Sequence, residues 1–176
     1  MTRFKRDELR SIYQEFKRLC PTGLANKNTF INVYQGFFPG RASAAYAQLC
    51  FRAFDKQKSG ELNFEQFACV LSQITRGSDA EKIDWIFSLY DVNGDGFLDR
   101  DDLVHVVKAI FDLIRCRPEF NERRDIVDEK VDYLMGNYDL DKDGRISKPE
   151  FFQVCQNNPN FISNLNVFHS HFDGCV

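Results

Sequence analysis

Much of what marks a catalyst or a membrane protein is scarce or missing in this sequence. Its 176 residues hold three histidines (His105, His169 and His171) and one tryptophan. There is no HExxH pair, no nucleophile–base signature and no glycine-rich phosphate cradle, so no catalytic activity is expected. No apolar run approaches the roughly 20 residues that cross a bilayer. The N-terminus, Met1-Thr2-Arg3-Phe4-Lys5-Arg6, leads into a charged helical pattern without the apolar core of a signal peptide. Thr2 stands where a myristoylated chain carries glycine, so no N-myristoylation motif and no lipid anchor are expected. A cytoplasmic chain follows, reaching a membrane only through a partner. The six cysteines form no CxxC pair, and Cys50 and Cys69 lie among apolar residues. In a reducing compartment they read as small core residues, not as disulfides or zinc ligands.

Charge is present in both signs but unevenly placed. Residues 1–77 carry 12 Lys/Arg against 6 Asp/Glu, whereas residues 78–176 carry 11 against 20. The basic residues of the first part are scattered and form no stripe with aromatics, so nucleic-acid binding is not expected. In the acidic part, Asp91, Asp95, Asp99, Asp101 and Asp102 crowd one stretch, and Asp139, Asp141 and Asp143 another. Carboxylates this close repel one another unless a cation sits among them. A glycine inside each cluster, Gly96 or Gly144, is not what a solvated acidic face needs.

Those clusters belong to an internal repeat. An apolar helical run ends in an aromatic residue and Asp, a polar loop with a central glycine follows, and a second helical run opens. The copies read Phe54-Asp55…Gly60-Glu61-Leu62…Phe67, Tyr90-Asp91…Gly96-Phe97-Leu98…Leu103 and Tyr138-Asp139…Gly144-Arg145-Ile146…Phe151. A weaker first copy is Arg18…Gly23-Leu24-Ala25…Phe30. Loop starts at 18, 55, 91 and 139 are spaced by 37, 36 and 48 residues. Apolar residues flanking the loops recur at helical period: Leu9, Ile12, Tyr13, Phe16; Tyr46, Leu49, Ala53, Phe54; Ile83, Ile86, Phe87, Tyr90; and Leu103, Val106, Val107, Ile110, Phe111, Ile114. An all-α fold is predicted, with Ala25 and Leu62, then Leu98 and Ile146, pairing as very short antiparallel bridges between loops. Phe38-Pro39-Gly40 and Arg76-Gly77 break the pattern. The second break coincides with the change of charge sign and places a lobe boundary at 77/78.

The last loop is the strongest signal. Asp139-x-Asp141-x-Asp143-Gly144-x-Ile146-x-x-x-Glu150 meets the EF-hand calcium pattern at every diagnostic position. Ca²⁺ is a hard cation taking 6–8 oxygens at about 2.3–2.6 Å, and alternate residues of a tightly wound loop aim theirs inward. Here the set is Asp139, Asp141, Asp143, the backbone carbonyl of Arg145, and both oxygens of Glu150. In the third loop the corresponding set is Asp91, Asn93, Asp95, the carbonyl of Phe97, and Asp102, with Asp99 acting through water. Asp102 is one methylene shorter than the usual Glu, so its reach is shorter and its coordination smaller. Weaker Ca²⁺ binding than in the fourth loop is expected there, with Mg²⁺ competing. Two ions per chain are predicted. The second loop offers Asp55, Gln57 and Ser59 but Gln66 at position twelve, and should stand vacant. The first offers Arg18, Cys20, Thr22 and Thr29, and is no calcium site.

With these loops the chain resembles the neuronal calcium sensor family, and within it the voltage-gated potassium-channel-interacting proteins. The residues carrying the likeness are Cys20-Pro21-Thr22-Gly23, Phe37-Phe38-Pro39, Tyr46-Ala47, Phe51-Arg52-Ala53-Phe54-Asp55, Leu71-Ser72, Arg76-Gly77 with Glu81-Lys82, Trp85, Leu89-Tyr90-Asp91 and Cys155-Gln156…Ser163…Phe168. The resemblance implies four EF-hands in two lobes plus an additional C-terminal helix, about Phe161 to Phe168. It divides the chain into an N-terminal lobe (1–77), a C-terminal lobe (78–157) and a C-terminal helix and tail (158–176). It further implies a sensor that binds an amphipathic helix of a target, a cytosolic segment of an ion channel, in an aromatic groove. Eighteen Phe against two Met fit such a groove, one that adapts to few partners. Each Phe alone reads as core, but Phe37-Phe38 before a proline points to some aromatic surface. The competing readings are a calcium buffer without a target and a regulatory subunit of an enzyme. Arg115, Arg117, Arg123 and Arg124 fall in the 12 residues by which the last spacing is longer, read as a basic connector.

Overall fold

A computed structural model of the chain describes residues 2–37, 44–114 and 125–158. The fold is all-α. Among the described residues eight helices run in order: α1 (Arg6–Leu19), α2 (Lys27–Phe37), α3 (Ala44–Phe54), α4 (Phe64–Arg76), α5 (Asp79–Tyr90), α6 (Arg100–Ile114), α7 (Asp125–Tyr138) and α8 (Lys148–Gln156). Consecutive helices form four helix–loop–helix hands. Each loop holds one short strand: β1 (Leu24–Asn26), β2 (Glu61–Asn63), β3 (Phe97–Leu98) and β4 (Ile146–Ser147). β1 pairs antiparallel with β2, setting Ala25 opposite Leu62, and β3 with β4, setting Leu98 opposite Ile146. This is the register the sequence predicts. All four aliphatics are buried, so each bridge points a pair of aliphatic side chains into the core beneath its two loops.

Helix starts follow from local chemistry. Asn63, Ser78 and Ser147 stand in extended backbone ahead of α4, α5 and α8, and each side chain accepts from the amide three residues on. Gln66, Glu81 and Glu150 bond back, satisfying amides that a helix start leaves without partners. Between α4 and α5 the chain turns through Gly77, where a Cβ would come within 2.1 Å of the Gln73 carbonyl oxygen, so only glycine fits. A clamp forms beside this turn. The Arg3 amide donates to Ser72 Oγ at 2.7 Å, and its guanidinium pairs with both oxygens of Glu81 at 2.9 Å. Arg76 bonds Glu8 and covers the Phe4 ring, its guanidinium 4.6 Å from the centroid.

The core is aromatic. Phe16, Phe30, Phe54 and Phe67 are buried and meet at 5.3–6.3 Å between centroids, Phe54 stacked on Phe67 and the other pairs edge-on or tilted, with Phe51 and Phe64 packed against them. Under the last two hands Phe151 collects Phe87, Tyr90 and Tyr138 at 5.5–6.2 Å. Both groups belong to one continuous hydrophobic cluster. Phe16, Phe30, Phe51, Phe54 and Phe67 of the first two hands are thus core. Tyr13, placed on the apolar stripe of α1, instead lies 46% exposed with its ring edge on Phe64. Cys20, Cys50 and Cys155 are buried and Cys69 is half-buried, all as free thiols. No helix among the described residues is long and apolar enough to cross a membrane. The side chains of Phe37-Phe38, the arginine-bearing connector, Cys116, Cys175, His169, His171 and the helix expected over 161–168 lie outside the described residues.

Candidate metal centre

The fourth loop runs from the end of α7 to the first turn of α8. The α7 helix closes with the Asp139 amide bonded to the Met135 carbonyl at 3.1 Å. Past that point the side chains turn inward on their own loop. Asp139 accepts from the amides of Asp143 (3.2 Å) and Gly144 (3.0 Å), Asp141 from Asp143 (3.2 Å), and Asp143 from Arg145 (2.8 Å). Gly144 takes φ +88°, a left-handed angle that a Cβ would strain. The outcome is a cage: Asp139, Asp141 and Asp143 each offer an oxygen, and these lie within 4.8 Å of one another. Glu150 reaches over the loop from α8, accepting from Leu140 (2.8 Å) and Asp141 (3.2 Å) through one oxygen and from Ser147 through the other.

The third loop repeats this arrangement with two differences. Asp91 accepts from Gly94, Asp95 and Gly96 at 2.8–3.1 Å, Asn93 from Asp95 at 2.8 Å and Asp95 from Phe97 at 2.9 Å. Asn93, an amide, also donates to Asp95 at 3.2 Å, removing one like-charge clash. At position twelve Asp102 bonds the amides of Val92 (3.0 Å) and Asn93 (3.3 Å), the places that Leu140 and Asp141 hold for Glu150. The shorter side chain makes the same contacts only by sitting deeper, 3% exposed against a partly open Glu150. Burial pushes the Asp102 carboxyl upward, opposed by the amides of Asp99, Val92 and Asn93. Glu150 loses less water, and bonds from Ser147, Asp141 and Leu140 outweigh that loss and hold it below the usual carboxylate range.

Loops three and four face each other through β3 and β4. Their seventh residues, Phe97 and Arg145, meet with the guanidinium 5.8 Å from the ring centroid. Of the predicted ligand residues, Asp91, Asn93, Asp95, Phe97 and Asp102 lie in one loop and Asp139, Asp141, Asp143, Arg145 and Glu150 in the other, and the carboxylates of Asp139, Asp141 and Asp143 converge. Every donor is oxygen and most are carboxylate, the chemistry of a hard divalent cation. Residues of both sets fit Ca²⁺ in type and spacing.

The first two loops use the same frame for other bonds. Asp55 accepts from Ser59 at its amide and hydroxyl and from Gly60, as Asp139 does in its loop. Gln66, however, is bonded to the Asn63 amide at 2.9 Å, a neutral cap in place of a carboxylate. The first loop never opens at its expected first position. α1 continues through Leu19, and Arg18 turns outward to pair with Glu15 through two bonds of 2.9 and 2.6 Å. Inside that loop the Lys17 ammonium donates to the Pro21 carbonyl at 2.6 Å.

Sequence reasoning missed one element. Arg52 of α3 donates to the carbonyls of Leu89 (2.9 Å) and Val92 (2.7 Å), which bracket Asp91. A lone arginine in an amphipathic helix carries no signal of this bond. The Asp101 carbonyl accepts from His105 Nδ1 at 2.7 Å on the exposed side of α6.

Two likenesses to known proteins fall on these features. Residues 80–156, the last two hands, match the family model of an EF-hand domain pair. Over 113 residues the chain is 41% identical to recoverin of Homo sapiens, a stretch covering 64% of this chain and 56% of that relative, so the match spans little more than half of recoverin's length.

Proposed function

We propose that the protein is a calcium sensor, taking up two Ca²⁺ ions through Asp91, Asn93, Asp95, Phe97 and Asp102 in the third loop and Asp139, Asp141, Asp143, Arg145 and Glu150 in the fourth. The observation that carries this reading is the carboxylate cage of Asp139, Asp141 and Asp143 with Glu150 poised above it. The match to an EF-hand domain pair over the same hands supports it. Bound Ca²⁺ supplies the charge neutralisation that clustered carboxylates lack. Asp102 and Glu150 sit on the first turns of α6 and α8, so the bonds these carboxylates make fix how each helix leaves its loop. A change in those bonds leans the helices and uncovers apolar surface, the behaviour of sensor hands.

In this reading residues 1–77 act as the target-binding lobe, 78–157 as the metal-binding lobe and 158–176 as an accessory helix. The partner is an amphipathic helix, from a cytosolic segment of an ion channel, laid against the aromatic core of the first lobe once its helices part. Identity to recoverin, a neuronal calcium sensor, supports the class, and the chain acts in the cytoplasm. Mg²⁺ occupies the third loop when Ca²⁺ is low, because Asp102 supplies too short a reach for a larger coordination sphere. Trp85, buried on α5 just ahead of the third loop, reports the filling of that loop by fluorescence. Titration with Ca²⁺ should change its emission, raise binding of an apolar dye, and allow capture of channel-derived helical peptides that chelator releases. Ca²⁺ uptake with unchanged dye binding would make the protein a buffer; no uptake would end the metal reading.

A further inference from the structure

The third loop is held from outside its own lobe. Arg52 lies on the helix entering the second loop, yet its guanidinium bonds the third: to the carbonyl of Leu89 at the end of α5 and to that of Val92 inside the loop. The Val92 amide in turn donates to Asp102. One residue, Val92, therefore links Arg52 to the position-twelve carboxylate. Asp91 and Asp102 stand close enough to act on the guanidinium charge, opposing the loss of water that lowers its proton affinity. A second cation of the same hand, Lys58, brings its ammonium 3.0 Å from the place a Cβ on Gly94 would take. In the fourth loop Leu140 is the counterpart of Val92; it is 46% exposed, and no side-chain donor meets its carbonyl among the described residues.

We propose that Arg52 is a positioning residue for the third loop, bracing its first peptides from α3 and, as a fixed cation, holding that loop's Ca²⁺ affinity below what its own oxygens would give. The inference rests on the third loop being a metal site. A fixed positive charge within one screening length of a divalent ion repels it, and the repulsion fades as salt is added. The bond to α3 also ties the loop to the first lobe: whatever shifts Val92 is felt by Arg52. A cavity of about 640 Å³, lined by Leu49, Arg52, Lys58, Val92, His105 and Ala109, leaves the guanidinium room to move when the loop does.

The test uses the full chain carrying Glu150→Gln, which silences the fourth loop, and reads the third by calorimetry and Trp85 fluorescence. Adding Arg52→Gln removes the charge while keeping a donor; adding Arg52→Lys keeps the charge and gives up the double bond to the carbonyls. Arg52→Gln should tighten Ca²⁺ binding by about three- to tenfold at low salt, and the gain should shrink to less than about twofold in 0.5 M KCl. Arg52→Lys should remain within about twofold of the parent. A brace without electrostatic weight gives no salt dependence, so a change in Arg52→Gln that ignores salt overturns the inference, as does unchanged or weaker binding. If the parent chain itself takes up no ion at the third loop, the metal reading of that loop falls, and this inference with it.

Discussion

The two pairs of hands share a frame and differ in what fills it. In both, a glycine at loop position six takes a left-handed turn, Gly60 at φ +77° and Gly144 at +88°, and the first aspartate bonds the amides beneath it. In both, a buried aliphatic pair ties the loops together. The first pair then satisfies its loops with its own groups: Lys17 on the Pro21 carbonyl, Ser59 on Asp55, Gln66 on Asn63. The second leaves carboxylates facing one another. Folding needs the frame and the aromatic core, which both pairs have. The two pairs differ at the ligand positions, so under the proposed reading metal binding and the fold are separable.

This difference can be broken most strongly at its richest loop. Glu150→Gln should weaken Ca²⁺ binding there by roughly 100-fold, read by calorimetry, because a bidentate carboxylate becomes a single neutral oxygen. It can be erased from the other side by giving the second loop its missing charges. Gln57→Asp, Ser59→Asp and Gln66→Glu together should add one Ca²⁺ equivalent per chain, since Asp55 already sits as Asp139 does; a chain that still counts two would show that more than ligands was lost. Within the acidic pair, Asp102→Glu should tighten the third loop by about tenfold and favour Ca²⁺ over Mg²⁺. Equal affinities in the two unmodified loops, measured in millimolar Mg²⁺, would remove the reason given for that gain.

The smallest effect is at the clamp of the first lobe. Two bonds from Arg76, aided by the Lys5 amide, hold the Glu8 carboxyl down to about 2 from an ordinary 4.5. A lowered folded value means stability that is present above 4.5 and lost as the pH falls from there through about 2. Thermal melts over that window should show a steeper decline for the unmodified chain than for Glu8→Gln. The effect is modest because the pair is only partly buried, so water and salt still screen it.

Loops and pairing register were legible because their chemistry is local. Asp139 to Glu150 states its spacing in twelve consecutive residues, and Leu98 with Ile146 follows from one aliphatic in each copy. The stripe Ile83, Ile86 and Phe87 reads correctly as core, since period alone decides which face is buried. Tyr13 shows the limit: the period puts it on the apolar face, but the edge of that face meets only Phe64 and leaves the ring half in water. Contacts across long separations left no trace in the sequence. Arg52 to Val92 and Arg3 to Glu81 join residues 40 and 78 apart, and a guanidinium seeking a carbonyl or a carboxylate has many equivalent choices along the chain.

The left-handed fourth position of the loops has a kinetic consequence. Lys58, Gly94 and Lys142 all take φ between 52° and 75°, in the second loop as much as in the acidic ones. For the two lysines such a turn costs about 1 kcal/mol or more, held in place by the surrounding backbone bonds. The winding of each loop is therefore fixed at folding. On the proposed reading an arriving ion would meet a coil already wound at this position, and the rate of capture should follow how fast the ion sheds its own water.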